Sequence, residues 1–268
     1  MPRPRRSTDP APVRLGPLVT LTTDFGLADS YVAEMKAVLL ARCPRARVID
    51  VTHQIPPQDV LAASVILERM LRVCPAGTIH VSVVDPGVGT ARKLLLAKVA
   101  DQYVLCPDNG LITWPWRRLP DSRAAHDLNW PPPTPASSTF HGRDILAPAA
   151  AALAAGECSA SELVGIPVAP ILLDVAPATK ASDVVIIHID GFGNAITNLP
   201  AELIHGIRLR SVKVGRRVIP VRRTYGDVPP ARPLALIGSS GLLEVAVRDG
   251  NAARTLRLKV GSRLTIGG

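Results

Sequence analysis

Aromatic residues are scarce, with three Phe, three Tyr and three Trp among 268 residues. That excludes the interleaved aromatic platforms on which nucleic-acid bases stack. Cysteine is equally sparse. Cys43, Cys74, Cys106 and Cys158 lie far apart, with no CxxC pair and no His at a partnering distance. A disulfide framework and a structural zinc site are therefore excluded, and reduced thiols are expected. No run of about 18 apolar residues occurs, so no membrane span is expected. The N-terminal MPRPRRSTDPAPVR is basic but lacks a following apolar core and small-residue cleavage site. It reads as a disordered tail over residues 1–16 of a cytoplasmic protein.

Charge of one sign is in excess, with a formal net charge of +9. Arg3, Arg5, Arg6 and Arg14 of the tail contribute heavily, and the rest is scattered as Arg117-Arg118, Arg216-Arg217 and Arg222-Arg223. With no continuous basic stripe, a nucleic-acid partner is not expected. The chain is 47% hydrophobic and 20% charged, enough for a substantial core in one large or two modest domains.

Two textures follow one another. From Pro17 to about Gly165, apolar runs alternate with helical patterns. Leu18–Thr22, Val48–Val51, Thr78–Val84 and Leu94–Leu105 read as strands. Ser30–Arg42, capped by Asp29 or Ser30, and Gln58–Val73 read as amphipathic helices. Such alternation predicts an α/β fold with a mostly parallel sheet sandwiched by helices. Pro107-Asp108-Asn109-Gly110 is a turn, Trp130–Ser138 (WPPPTPASS) a proline-rich loop, and Arg143–Gly156 a helix that Pro148 is expected to kink. Pro167–Thr179 looks like a linker. Beyond it, Val184–Ile189, Ile207–Val214, Arg217–Val221, Leu234–Ile237, Leu242–Val247 and Thr255–Val260 are short β-rich runs, which predict a smaller antiparallel, barrel-like domain. The expected division is residues 17–172 for the first domain and 173–268 for the second.

Ligands of parallel sheets bind beyond the carboxyl ends of the strands. Asp24 and Asp85 fall at such ends, and Asp50 lies within the second strand. A carboxylate there accepts both ribose hydroxyls or holds a cation; capping the next turn is the plain alternative. Asp85 opens DPGVGTAR, whose glycines permit close backbone approach and whose Arg92 follows seven residues later. No GK[ST] or GxGxxG completes a phosphate-binding loop, and an Asp85–Arg92 pair could equally hold the turn. His141 lies in STFHGRD between a loop and a helix start, a general-base candidate. Asp190-Gly191-Phe192-Gly193-Asn194 and Gly238-Ser239-Ser240-Gly241 break strands with polar side chains.

LTTDFGLADSYVAEMKA, VIDVTH, VVDPGVGTAR, PDNGL, STFHGRD, IDGFGNAITNL, TYGDV and GSSG stand in that order from about residue 18. Together they resemble the S-adenosyl-L-methionine (SAM) hydroxide adenosyltransferases, relatives of the SAM-dependent fluorinase and chlorinase. The resemblance implies SN2 attack of water or hydroxide on ribose C5′ of SAM, releasing adenosine and L-methionine, with no cofactor. It implies a water-handling triad at Asp85, Arg92 and His141. It places Asp24 on the ribose hydroxyls, Asp29 and Asp190 on the methionine ammonium, and Ser239 on the methionine carboxylate. Asn194 is implied to bond adenine, Phe192 and Tyr225 to pack about its ring, and Val247 to offer backbone groups to its edge. It further implies a homotrimer with sites between subunits.

Ser240 stands where the fluorinase has an arginine, and IDGFGN is one residue shorter than the halogenase version. The fluorinase has a tyrosine at the position of Asp85 and a Tyr-Ser pair at that of His141-Gly142. A carboxylate repels a halide by a few kcal/mol at short range in a low-dielectric site, and accepts a hydrogen bond from water. The expectation is therefore a hydrolase. The alternatives are a halogenase, a SAM- or adenosine-binding sensor without turnover, and a metal-dependent phosphohydrolase built on Asp24, His53, Asp85 and His141. No metal site is expected.

Overall fold

A computed structural model describes residues 16–131, 135–204 and 209–267. The basic tail, the centre of the proline-rich loop and the start of the strand expected at Ile207 lie outside the described residues. The first part of the chain runs β1 (Leu18–Thr23), α1 (Tyr31–Arg42), β2 (Arg47–Thr52), α2 (Val60–Val73), β3 (Ile79–Val83), β4 (Leu94–Val99), β5 (Gln102–Pro107), α3 (Thr113–Arg118) and β6 (Ala124–Leu128). A π-helical turn (Gly142–Leu146) then leads into α4 (Ala147–Ala155), followed by α5 (Ala160–Leu163) and β7 (Val164–Pro167).

The seven strands form one sheet in the order β2-β1-β3-β5-β4-β6-β7, parallel from β2 through β5 and antiparallel beyond. Strand residues alternate between two cores. Val19, Leu21, Val81, Val83, Leu96 and Leu105 pack beneath α1 and α4 through Met35, Leu39 and Ala147. Leu95, Ala97, Val104 and Cys106 pack beneath α2 and α3 through Ala63, Leu67 and Ile112. A sheet buried on both faces accounts for its unbroken apolar runs.

The remaining chain runs β8 (Ile186–Ile189), β9 (Ala195–Pro200), α6 (Ala201–Ile204), β10 (Ser211–Val214), β11 (Arg217–Pro220), β12 (Pro233–Ile237), β13 (Leu242–Val247), α7 (Ala252–Leu256) and β14 (Thr265–Gly267). Two antiparallel sheets, β11-β10-β14 and β12-β13-β9-β8, are linked by a bridge between Val221 and Ala235 and share a core of Ile186, Val212, Ile219, Leu243 and Val245.

Two sequence expectations need correction, those for Thr255–Val260 and for the cap of α1, and two others gain detail. Thr255–Val260 is not a strand: the Asn251 side chain accepts the Arg254 N–H at 2.7 Å and starts α7, which Arg257 ends in the left-handed region at φ 56°. Helix α1 begins at Tyr31, after Ser30 in the cap position, but the Ser30 hydroxyl donates to Glu34 at 2.6 Å instead of capping a backbone N–H. Asp29, the other candidate cap, is exposed. Pro148 stands in the first turn of α4, where its missing N–H is absorbed by the preceding π turn; there Ala147 donates to the Gly142 carbonyl. Finally, the stretch read as a linker is fastened. Asp108 accepts the Ile171 N–H at 2.8 Å, Thr113 Oγ1 accepts that of Leu173 at 2.8 Å, and Arg117 donates to the carbonyls of Val175 at 2.5 Å and Leu173 at 3.1 Å.

The two parts of the chain also share a core. Val65 of α2 and the fully buried Trp114 of α3 pack on Ile187, Ile196 and Leu242.

Candidate active site

The carboxyl ends of neighbouring strands β1 and β3 deliver Asp24 and Asp85. Arg92 grips Asp85 with two donors: Nε reaches Oδ1 at 2.7 Å and Nη2 bonds Oδ2. The side chains of this pair are only 8% and 6% exposed. The same Nη2 lies 2.9 Å from His141 Nδ1. Asp85, Arg92 and His141, separated in sequence, thus form one continuous polar cluster.

The arrangement decides the state of the imidazole. Burial, and secondarily the Arg92 charge, pushes the His141 pKa below the usual histidine value. A neutral ring whose Nδ1 faces an arginine donor holds its proton on Nε2, a tautomer assigned from this hydrogen-bond pattern. His141 accordingly offers an N–H, and Asp85 offers the acceptor capacity.

Local backbone brings these side chains together. Gly89 has φ +80°, and a Cβ there would stand 2.6 Å from the Ser138 carbonyl oxygen. A glycine at this position lets the loop bearing Asp85 and Arg92 cross the loop bearing His141. Phe25, Tyr31 and Phe140 pack edge to face, with ring centroids 5.3 to 5.8 Å apart. They join the residue after Asp24, the first turn of α1 and the residue before His141. Asp24 Oδ2 accepts the Gln58 N–H at 2.9 Å. His53 is buried between Thr23 Oγ1 at 2.9 Å and Asp50 Oδ1 at 3.0 Å, which fixes the approach to Asp24.

The second group of candidates gathers elsewhere. Phe192, Asn194, Tyr225 and Val247 line a cleft of about 570 Å³. A neighbouring cleft of about 340 Å³ shares Phe192, Asn194 and Tyr225 and adds Arg69, Asp190, Ser239, Ser240 and Glu244. Phe192 is 81% exposed. Neither cleft includes Asp24, Asp29, Asp85, Arg92 or His141. Asp190 also lines a third cleft, of about 500 Å³, with Gln54, Pro56 and Asp59.

Asp190 serves its own loop. Its Oδ1 accepts the N–H groups of Phe192 at 3.0 Å and Asn194 at 2.9 Å, and its Oδ2 accepts Asn194 Nδ2 at 3.0 Å. These bonds shape the DGFGN turn and hold the Asn194 side chain by its amide nitrogen.

Two residues in this cleft were missed by sequence reasoning. Glu244 is buried, accepts the Tyr225 hydroxyl and presses against Gly238, where a Cβ would fall 2.1 Å from Oε2. Burial pushes its carboxyl pKa up, and the phenol of Tyr225 is likewise pushed up. An acid inside the apolar run LLEVAV is the signal that marks it. Arg69 projects from α2 toward Ser239 and looks in sequence like any exposed helical arginine.

Among the described residues no three His, Cys, Asp or Glu side chains gather as metal ligands would. Asp24, His53, Asp85 and His141 are not brought to one point, which disfavours the phosphohydrolase alternative. No helix among the described residues is long and apolar enough to cross a membrane.

Residues 19–164 match the SAM hydroxide adenosyltransferase N-terminal domain, and residues 184–265 the C-terminal domain of the same name. The chain is 43% identical over 252 residues to an (R)-S-adenosyl-L-methionine hydrolase of Thermus thermophilus, covering 91% of this chain and 96% of that protein. A Fluorinase of an Actinoplanes species is more distant, 25% identical over 95% of this chain and 99% of its own length. An uncharacterized conserved protein from Thermotoga maritima superposes with a TM-score of 0.85 at 34% identity, covering 93% of this chain and all of that one.

Proposed function

The chain belongs to the SAM hydroxide adenosyltransferase family, and on that premise we propose that it hydrolyses SAM to adenosine and L-methionine. The reading is carried by the Asp85–Arg92–His141 cluster, in which a carboxylate and a neutral imidazole are held side by side by one guanidinium.

Methionine leaves a sulfonium as a neutral thioether, so departure needs no general acid. As the C5′–O bond forms, the C5′–S bond breaks and its electron pair stays on sulfur. One proton of the attacking water passes to Asp85 and then to solvent. His141 Nε2–H donates to the water oxygen and aims its lone pair at C5′, and Arg92 fixes both partners. Well-oriented positioning of this type is worth on the order of 7–11 kcal/mol. An anionic Asp85 disfavours a halide in the same place, which separates this chain from its halogenating relatives.

Asp24 receives the ribose hydroxyls through the carboxylate oxygen that Gln58 leaves free. Asn194 bonds adenine while Phe192 and Tyr225 flank it and Val247 supplies backbone groups. Ser239 takes the methionine carboxylate, with Asp29 and Asp190 toward the ammonium. Both groups are needed for one SAM molecule, and the proposal includes a homotrimer in which each site spans two subunits. We set the boundary between the two domains near residue 172. The enzyme acts in the cytoplasm on a free small molecule, with neither a nucleic-acid partner nor a cofactor.

Incubation of the purified protein with SAM is expected to yield equal amounts of adenosine and L-methionine, unchanged by a chelator or by omitting chloride. Formation of a 5′-halogenated nucleoside would make it a halogenase. Tight SAM binding without product would make it a sensor.

A further inference from the structure

Helix α2 leans on the C-terminal sheet, and among the described residues Arg69 is the one cation lining the cleft that holds Asp190, Ser239 and Glu244. Other arginines nearby are committed. Arg72 donates to Glu68 at 2.5 Å, and Arg118 donates to the same carboxylate at 3.3 Å. Arg69 forms no ion pair among the described residues. Its contact is from Nη2 to Ser239 Oγ at 3.5 Å, the outer limit of a hydrogen bond. A guanidinium so placed retains nearly all of its donor capacity, in a fork geometry that matches a carboxylate.

The surroundings specify the chemistry of what it takes. Asp190 and Glu244 bring two carboxyl groups to the same cleft, whereas Ser239 and Ser240 contribute hydroxyls without charge. One cation and a hydroxyl lining the same cleft as two carboxyl groups are complementary to a zwitterionic α-amino acid, and not to an uncharged or purely anionic tail. From this geometry we infer that Arg69, together with Ser239, binds the α-carboxylate of the methionine moiety and makes the enzyme selective for sulfonium nucleosides that carry an amino-acid carboxylate. The inference rests on the hydrolase reading and adds to it a binding residue contributed by the N-terminal part of the chain.

The test is calorimetric binding of three ligands, SAM, decarboxylated SAM and adenosine, to the otherwise wild-type protein and to Arg69→Gln and Arg69→Lys, each carrying Asp85→Asn so that SAM is not consumed. Loss of a charge-assisted, bidentate contact is expected to weaken SAM binding by about ten- to a hundredfold in Arg69→Gln. Decarboxylated SAM and adenosine should bind both proteins within twofold, and Arg69→Lys should restore part of the loss. In turnover, with Asp85 intact, KM for SAM should rise while kcat changes little. SAM binding by Arg69→Gln within twofold of the otherwise wild-type protein overturns the inference. So does a parallel loss for adenosine, which would mark a structural strut between α2 and the C-terminal sheet. An otherwise wild-type protein that binds no SAM overturns the hydrolase reading itself. One that binds SAM but does not discriminate against the decarboxylated form overturns this inference alone.

Discussion

Arg92 has one guanidinium and two clients, and this sets the chemistry at the scale of single residues. With Nη2 directed at His141 Nδ1, the imidazole acts as a donor and Asp85 is left as proton acceptor. Asp85→Asn keeps the shape but removes the base, and should lower kcat/KM by about a hundred- to ten-thousandfold in an adenosine-release assay. SAM binding should persist. The His141 pKa is lowered in the folded protein, so the ring stays neutral until the pH falls below the usual histidine value of about 6.5. Protonation then places a second cation against Arg92 and breaks the cluster. The profile of kcat/KM should therefore rise from acid pH through a midpoint below 6.5 and level off toward neutrality. His141→Gln, whose amide oxygen still accepts from Arg92, should lack that limb. A midpoint near 7.5, or a limb surviving in His141→Gln, would contradict the assigned tautomer.

Elements hold this cluster through a few close approaches. The crossing of the Asp85 and His141 loops depends on Gly89, so Gly89→Ala should cost about 1–3 kcal/mol in urea unfolding and reduce turnover as well. Between α2 and α3, Glu68 is fully buried and accepts from Arg118, itself 5% exposed. Glu68→Ala leaves that arginine unpaired in the interior, and a loss of about 3–5 kcal/mol is expected by the same measurement. Elements of this kind were unequally legible in the sequence. The strands and helices through β5 announced themselves by apolar runs and 3.6-residue spacing. Strand β9 did not, because its Thr197 and Asn198 look like turn residues. Inside the fold, Thr197 donates to the Leu243 carbonyl and Asn198 to those of Ala176 and Asp183. Helix α7 was hidden for the converse reason, since a capping asparagine overrides a run with β-forming residues. Among site residues, Asp85, Arg92 and His141 were marked by their motifs. Asp190 was marked as well, yet most of its hydrogen-bonding capacity goes to its own loop. Arg69 carried no signal in sequence, because only the docking of α2 on the second part gives it a direction.

For the whole molecule, the question is whether one chain or two supply Asp24, Asp85 and His141 together with Asn194 and Ser239, which line other clefts. If each site spans two subunits, two inactive variants can repair each other. Asp85→Asn mixed with Asn194→Ala under conditions of subunit exchange should regain about a quarter of wild-type activity, from sites that unite an intact half of each. No regain, with exchange verified by mass, would place a complete site within one chain. The sulfonium chemistry itself is read by running the reaction in ¹⁸O-labelled water and analysing the nucleoside by mass spectrometry. Attack at C5′ by a water held against Asp85 predicts one ¹⁸O in the 5′-hydroxyl of adenosine and none in methionine. Unlabelled adenosine, or a nucleoside bearing halogen at C5′, would contradict it.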